Sequence, residues 1–200
     1  MKKSGKARAH TNIALIKYWG KADEDLIIPM NNSLSVTLER FYTETRVTFD
    51  ASLTEDQLIL NKEAVNAKES AKIQRYMDMI RKEAGISTYA LIESDNFVPT
   101  AAGLASSASA YAALAGACNE ALDLNLSDKD LSRLARRGSG SASRSIYGGF
   151  AEWEKGHDDK TSYAHQIESD GFENDLAMIF VVINNKSKKV SSRSGMSLTR

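Results

Sequence analysis

Apolar and polar residues alternate over residues 34–49, which is the clearest pattern in the chain. A period of two places successive side chains on opposite faces, so this segment predicts a long strand, or a hairpin, with one face in water. Residues 7–16 have the composition of another strand, and residues 58–65 that of a short hairpin. The first third of the chain is therefore predicted to be mainly β-structure.

Three later segments have helical patterns. The first is predicted to begin with a capping box at Asn66 and to end at Gly85, because apolar residues between them recur at intervals of three and four. The second is an alanine-rich helix over residues 106–122. The third begins at Ser127, whose side chain is expected to cap it.

Further strands are predicted around these helices, at residues 89–93, 150–154 and 163–167. Residues 176–183 form a nearly continuous apolar run, which is typical of a central strand buried on both faces. Strands and helices are therefore expected to share one core.

The charge balance narrows the classes of partner. The chain has 26 basic and 26 acidic residues, which argues against a nucleic acid or an acidic membrane as its main partner. No apolar run has membrane-spanning length, and residues 1–6 are basic but are not followed by the apolar region of a signal peptide. We therefore expect a cytoplasmic protein that binds neither nucleic acid nor membrane.

Cysteine and histidine give no sign of a disulfide or a metal centre. Cys118 is the only cysteine and lies among alanines, so it is expected to be a small buried side chain. His10, His157 and His165 are far apart and lack ligand partners at metal-site spacing, so no metal-ligating histidine is predicted.

The segment from Pro99 to Ser109 has the chemistry of a phosphate-binding loop. Small residues follow a predicted strand and lead into the alanine-rich helix, where Ser106 or Ser107 can cap the first turn. Free backbone N–H groups and the positive end of the helix dipole attract anions. It is not a Walker A loop, since no Gly-Lys-Ser/Thr closes it, and a tight turn before a closely packed helix remains the alternative.

Two other segments are candidates for anion binding. Residues 136–149 contain four serines, four glycines and three arginines, and a predicted strand follows directly, so a functional loop is favoured over a flexible connector. Residues 18–21, Tyr-Trp-Gly-Lys, can form a cationic lip for an anion. Their chemistry alone favours the simpler interpretation, a strand end with an aromatic anchor.

These motifs resemble those of a known superfamily. Residues 99–108 are similar to the phosphate loop of the GHMP small-molecule kinases. Residues 10–21 (HTNIALIKYWGK), residues 139–144 (SGSASR) and residues 192–196 (SRSGM) resemble, in the same order, motifs of the mevalonate diphosphate decarboxylase family, closest to its Gram-positive bacterial type. The resemblance implies an α+β fold: a mixed, mainly antiparallel sheet with helices on one side, of the ribosomal S5 domain 2-like type.

The resemblance also implies a reaction. Mevalonate 5-diphosphate and ATP, with Mg²⁺, would give isopentenyl diphosphate, ADP, phosphate and CO2 for isoprenoid synthesis. Phosphorylation turns the tertiary hydroxyl into a leaving group, and positioning and charge stabilisation then dominate catalysis. The family further implies a cytoplasmic homodimer.

Site residues are implied position by position. Arg144 would hold the substrate carboxylate and, with Lys21 and Ser106, is assigned a catalytic role; Ser106 or Ser107 would lie near Mg²⁺. The substrate-binding residues implied by the motifs are Tyr18, Trp19, Gly20, Lys21, Ser139, Gly140, Ser141, Ala142, Ser143, Arg144, Ser192, Arg193, Met196 and Thr199. The implied ATP-binding residues are Ser94, Asn96, Ala101, Ala102, Gly103, Leu104, Ala105, Ser106, Ser107 and Ser109.

One departure from the family concerns length. Its members run well past 300 residues, so residues 1–185 are expected to be the N-terminal ATP- and substrate-binding domain, and residues 186–200 the start of a connection to a C-terminal domain that this chain lacks. The family's catalytic aspartate is expected in that part, so slow or no turnover is predicted for this chain alone. Two alternatives remain: a GHMP kinase for another metabolite, and a non-catalytic anion-binding module.

Overall fold

A computed structural model describes residues 2–65, 67–98 and 106–180. Its strands are β1 (Lys3–Ile16), β2 (Lys21–Asp23), β3 (Ile28–Pro29), β4 (Ser33–Phe49), β5 (Gln57–Leu60), β6 (Glu63–Ala64), β7 (Ala90–Phe97), β8 (Phe150–Trp153) and β9 (Ala164–Ile167). Its α-helices are α1 (Ala67–Ala84), α2 (Ser106–Ala121) and α3 (Asp128–Gly138), and two 3-10 helices span Gly140–Ile146 and Phe172–Asp175.

The long strand β4 organises the main sheet. Strand β1 pairs antiparallel with one edge of β4 over most of its length. The other edge is shared, because β8 pairs with residues 33–36 and β7 with residues 42–49. Strand β5 runs parallel to β7, whereas the other pairings are antiparallel. The prediction of a mixed, mainly antiparallel α+β sheet is therefore confirmed.

The three α-helices share one apolar core with the sheet. Helix α2 packs on β1 and β4, and its buried alanines leave room for close backbone approach. Gly5 of β1 is required at this contact, because a Cβ there would overlap the carbonyl oxygen of Ala117. Cys118 is fully buried in this core, as predicted, and burial raises the pKa of its thiol.

Most local predictions are confirmed by the structure. Residues 33–49 form one strand, not a hairpin. The turn between β5 and β6 places Asn61 and Lys62 at φ of 51° and 66°. Helix α1 ends before Gly85, whose φ is 65°. The side chain of Ser127 accepts a hydrogen bond from the N–H of Asp130 at the start of α3. The predicted cap at Asn66 lies outside the described residues.

The prediction of a central strand at 176–183 is wrong over its described part. Residues 176–180 have no regular structure, and the side chains of Leu176 and Ile179 are 45% and 85% exposed. An apolar run becomes a central strand only when neighbouring strands pair with both of its edges, and residues 176–180 have no such pairing in the described sheet. Residues 181–183 lie outside the described part of the chain.

Among the helices that the structure describes, none combines the length and apolar character needed to cross a membrane.

Candidate functional site

Arg144 is the centre of the candidate site. The 3-10 helix Gly140–Ile146 carries its guanidinium into the protein, where the residue is only 2% exposed. Its Nε donates to the hydroxyl of Ser35 over 2.9 Å, and its Nη1 donates to the hydroxyl of Ser33. A longer bond of 3.4 Å joins its Nη2 to Oδ1 of Asn12. All three acceptors are uncharged.

The charge of Arg144 has no carboxylate partner among the side chains that the structure describes. None of the aspartates or glutamates among them makes an ion pair or a hydrogen bond with it. Burial lowers the pKa of Arg144 to about 10, although the nearby Tyr18 partly opposes this change. The side chain is still a cation at neutral pH. A buried cation with neutral neighbours is suited to receiving an anionic ligand.

The other two arginines of the 136–149 segment have different surroundings. Arg136 is fully buried, and its Nη2 donates to Oδ1 of Asp159 over 2.6 Å while its Nη1 donates to the carbonyl of Leu26. Arg137 makes a longer ion pair of 3.4 Å with the same carboxylate. Arg136 thus joins α3 to Leu26 and Asp159, and Arg137 is paired with Asp159. Of the three arginines, only Arg144 has no carboxylate partner among the described side chains.

An aromatic wall lies beside Arg144. The rings of Tyr18 and Trp153 meet edge to face with centroids 4.8 Å apart, and the guanidinium carbon of Arg144 lies 6.0 Å from the centroid of Trp153. Gly140 is needed here, because a Cβ would come within 2.8 Å of both the Tyr18 hydroxyl and the Trp153 ring. The Tyr18 side chain thus packs against Trp153 and against the start of the segment that carries Arg144.

Asn12 is a site residue that the sequence analysis did not single out. It is 6% exposed, and its Nδ2 donates to the carbonyl of Ser141 over 3.0 Å and to the hydroxyl of Ser145 over 2.8 Å. Its Oδ1 accepts the bond from Arg144. An asparagine inside an apolar strand is an unusual polar residue in a core, and that signal was present in the sequence. The sequence analysis also missed Ser33 and Ser35, which are small polar residues at inward-facing strand positions.

A chain of hydroxyls connects the two predicted binding segments. The hydroxyl oxygens of Ser107 and Ser139 are 3.3 Å apart, and those of Ser139 and Ser141 are also 3.3 Å apart. Ser107 belongs to the first turn of α2, where the backbone N–H groups of a helix have no partner within the helix. The first turn of α2 and the 139–144 segment therefore border one another.

Lys21 and its neighbours form another side of the site. Lys21 lines a cavity of about 420 Å³ that also borders Gly138, the residue before Ser139. The Lys21 ammonium makes a 2.5 Å ion pair with Glu24. Trp19 is 58% exposed, its backbone N–H donates to Oδ1 of Asn31, and Gly20 adopts a φ of 75°. Tyr18 therefore packs beside Trp153 and Lys21 lines the cavity that borders Gly138, while Trp19 extends outwards.

A second cavity of about 210 Å³ contains four of the predicted nucleotide-binding residues. Ser94, Asn96, Ser106 and Ser107 line it together with apolar side chains from β5, α1 and α2. Oδ1 of Asn96 accepts a bond from the Thr43 hydroxyl over 3.0 Å, so β4 fixes the position of this side chain. An apolar pocket beside a helix N-terminus has the chemistry to bind a nucleotide, whose base is apolar and whose phosphates are anionic.

Some predicted residues have a supporting position. Ala142 and Ser143 are fully buried, and the Ser143 hydroxyl donates to the carbonyl of Gly140. The hydroxyl of Ser109 is buried against Thr43, at an oxygen–oxygen distance of 2.8 Å. These side chains stabilise the two segments from within. Several predicted residues lie outside the described part of the chain: Ala101, Ala102, Gly103, Leu104, Ala105, Ser192, Arg193, Met196 and Thr199.

No group of three or more His, Cys, Asp or Glu side chains suited to a metal ion occurs in the described residues. Oxygen ligands for Mg²⁺ at this site would come from hydroxyls such as those of Ser106 and Ser107 and from the phosphates of a nucleotide. This donor set fits the preference of Mg²⁺ for oxygen and for few protein ligands.

Comparison with known proteins identifies the family. Residues 9–164 match the family described as Diphosphomevalonate decarboxylase-like N-terminal domain. A crystal structure of mevalonate diphosphate decarboxylase from Staphylococcus aureus is 77% identical, with a TM-score of 0.95 over 98% of this chain and 59% of that one. A structure of MDDEF in complex with MVAPP, AMPPCP and magnesium is 64% identical, with a TM-score of 0.93 over 98% of this chain and 60% of that one.

A curated relative gives the same result at lower identity. Diphosphomevalonate decarboxylase of Ganoderma lucidum is 41% identical over 96% of this chain and 52% of its own length. The chain thus spans about half the length of the curated relatives it matches. Its matched residues are of the type that forms the N-terminal domain in this family, and the chain belongs to the diphosphomevalonate decarboxylase family.

Proposed function

We propose that this chain binds mevalonate 5-diphosphate and ATP and serves the ATP-dependent decarboxylation that yields isopentenyl diphosphate, ADP, phosphate and CO2. The observation that carries the proposal is the buried guanidinium of Arg144, which is held by three neutral acceptors and has no carboxylate partner among the described residues. A substrate with a carboxylate that must leave as CO2 needs such a group to orient it.

The substrate would lie with its carboxylate at Arg144 and its diphosphate among neighbouring donors. The candidate donors are the hydroxyls of Tyr18, Ser139 and Ser141 and the ammonium of Lys21. Asn12 would act as a positioning residue, since it holds both Arg144 and the Ser141 carbonyl. The aromatic wall of Tyr18 and Trp153 would exclude water from the carboxylate, which strengthens its attraction to Arg144.

ATP would place its base in the 210 Å³ cavity and its phosphates at the first turn of α2. A relative that is 64% identical to this chain binds AMPPCP and magnesium, which supports ATP and Mg²⁺ as ligands. When bound, Mg²⁺ would neutralise phosphate charge beside Ser106 and Ser107. The Ser107 and Ser139 hydroxyls would then bring the terminal phosphate close to the substrate.

The proposed reaction needs no covalent intermediate with the enzyme. The tertiary hydroxyl of the substrate attacks the terminal phosphorus of ATP, ADP leaves, and the hydroxyl proton goes to a base. The C–O bond to the new phosphate then breaks with its electron pair, and the electrons of the breaking C–C bond to the carboxylate form the double bond as CO2 departs. Arg144 would hold the carboxylate in the orientation needed for CO2 to leave, and its other partners are neutral, so they do not compete for its charge.

None of the described carboxylates contacts Arg144, so the base for the hydroxyl proton would be a group that does not contact that side chain. The proposal includes a cytoplasmic location and a homodimeric protein, as the family resemblance implies.

A calorimetric titration tests the proposal. Mevalonate 5-diphosphate should bind saturably to the 200-residue chain, whereas mevalonate and homoserine, which lack the diphosphate, should bind at least tenfold more weakly. Assays with carboxyl-labelled substrate and ATP separate this function from a GHMP kinase, because only a decarboxylase releases labelled CO2. Tight binding of homoserine or mevalonate with no preference for the diphosphate would contradict the proposal.

A further inference from the structure

The ammonium of Lys21 is engaged by a carboxylate of its own segment. Nζ of Lys21 lies 2.5 Å from Oε2 of Glu24, three residues later in the chain. The Lys21 side chain is only 10% exposed, whereas that of Glu24 is 68% exposed. Lys21, which we propose binds the anionic substrate, is thus largely enclosed, and Glu24 reaches its ammonium from the solvent side.

The backbone around this pair is anchored independently of it. Oδ1 of Asp23 accepts a hydrogen bond of 2.7 Å from the N–H of Leu26, which closes the turn between β2 and β3. The carbonyl of Leu26 accepts from the fully buried Arg136, which ties the turn to α3. The side chain of Glu24 can therefore change rotamer without disturbing the backbone of the turn.

The pair borders the 420 Å³ cavity, whose charged lining is mainly cationic. Lys72, Arg75 and Arg137 face it together with Lys21, and the acidic residues that line it are Glu24 and Asp25. An anion that enters meets an attractive field and finds two of the cations already paired, Lys21 with Glu24 and Arg137 with Asp159. Asp25 lines the same cavity but has no ion pair among the described residues, so it shares the charge of Glu24 without its contact.

We propose that Glu24 is a specificity-determining residue that competes with the diphosphate of the substrate for the ammonium of Lys21. This inference rests on the proposed function, in which Lys21 binds that diphosphate. An ion pair with an exposed partner is weak, so a group with several charges and several oxygens displaces it, whereas a singly charged anion gains little by doing so. Glu24 therefore lowers the affinity of the site for anions in general and reserves Lys21 for highly charged ones.

The test is a calorimetric comparison on the 200-residue chain. Glu24→Gln keeps the size of the side chain and removes the competing charge, so it should tighten binding of mevalonate 5-diphosphate by about two- to fivefold. Asp25→Asn is the matched control, because it also removes one negative charge beside the cavity. Since Asp25 is an unpaired, exposed charge among the described residues, this variant should change the dissociation constant by less than about 1.5-fold. Glu24→Gln in a Lys21→Met background completes a double-mutant cycle and should give no gain.

Each other outcome has a distinct meaning. Weaker binding by Glu24→Gln would mean that Glu24 holds Lys21 in position, which overturns the inference. An equal gain in Asp25→Asn, or a gain that persists in the Lys21→Met background, would mean a general field effect and would overturn it as well. If the unsubstituted chain does not bind mevalonate 5-diphosphate at all, the proposed function fails first and this inference fails with it. Thermal unfolding of each variant shows that folding is retained.

Discussion

Arg144→Met should leave the stability of the protein nearly unchanged, although it removes a fully buried charged residue. Burial lowers the pKa of Arg144 to about 10 from its ordinary value, and at about 1.4 kcal/mol per pH unit this corresponds to a desolvation cost of about 3 kcal/mol. The substitution abolishes this cost. It also removes three hydrogen bonds to neutral acceptors, which contribute about 1 kcal/mol each. The two contributions nearly cancel.

Arg81→Met is a matched control within the same chain. Arg81 is also buried, at 7% exposure, but its two terminal nitrogens donate to the two carboxylate oxygens of Asp56 at 2.9 Å each. Asp56 is buried as well, and it also accepts a bond from the N–H of Ala90. Removing Arg81 leaves an unpaired buried carboxylate, so this variant should lose about 3–5 kcal/mol.

Urea unfolding followed by circular dichroism measures both variants. Arg144→Met is expected within about 1–2 kcal/mol of the unsubstituted protein, and Arg81→Met well outside that range. The slopes of the two transitions should agree, so that midpoints can be compared directly. If Arg144→Met loses as much stability as Arg81→Met, then Arg144 has a compensating partner and the argument that it is an uncompensated cation is refuted.

Three further predictions concern the surroundings of the site. Gly138→Ala places a Cβ on the ring of Tyr111 and should destabilise the protein by about 1–3 kcal/mol in urea unfolding, whereas an unchanged midpoint would show that the ring moves freely. Burial alone would raise the pKa of Asp159, but the hydrogen bond from Arg133 and the charge of Arg136 outweigh it and lower this pKa. Its stabilisation is therefore present above pH of about 4 and is lost as the pH falls through the lowered pKa, so Asp159→Asn should destabilise at pH 7 by about 1–3 kcal/mol, and this loss should shrink as the pH falls through that pKa. Cys118 should react with a thiol reagent only when the chain unfolds, since it is fully buried and its pKa is raised; rapid labelling of the native protein would contradict this.

Local sequence patterns predicted the elements of this fold well. The alternation in residues 34–49, the end of α1 at Gly85 and the cap at Ser127 depend on interactions within a few residues, and such interactions can be read from the sequence. The run at 176–180 was misassigned because burial of a strand depends on its neighbours in the sheet. The hydrophobicity of a segment does not show which strands will pair with it.

The site was predicted by composition and resemblance more than by geometry. Arg136 and Arg144 occur in the same Ser/Gly-rich segment, and local sequence does not distinguish them. Their roles differ because Asp159 reaches one of them, whereas the serines of β4 reach the other. Asn12 contacts Arg144 from 132 positions away in the chain. Contacts of this range are fixed by the packing of the sheet on the helices, so they became visible only in the structure.

The central claim is that Arg144 receives the carboxylate of the substrate, and a comparison of two ligands tests it most directly. Mevalonate 5-diphosphate carries the carboxylate, whereas isopentenyl diphosphate has the same diphosphate and lacks it. We expect the dissociation constants of the unsubstituted chain to favour mevalonate 5-diphosphate by at least about tenfold, and Arg144→Met to lose that preference while binding isopentenyl diphosphate nearly as before. If the substitution weakens both ligands by the same factor, Arg144 does not recognise the carboxylate and the account is contradicted.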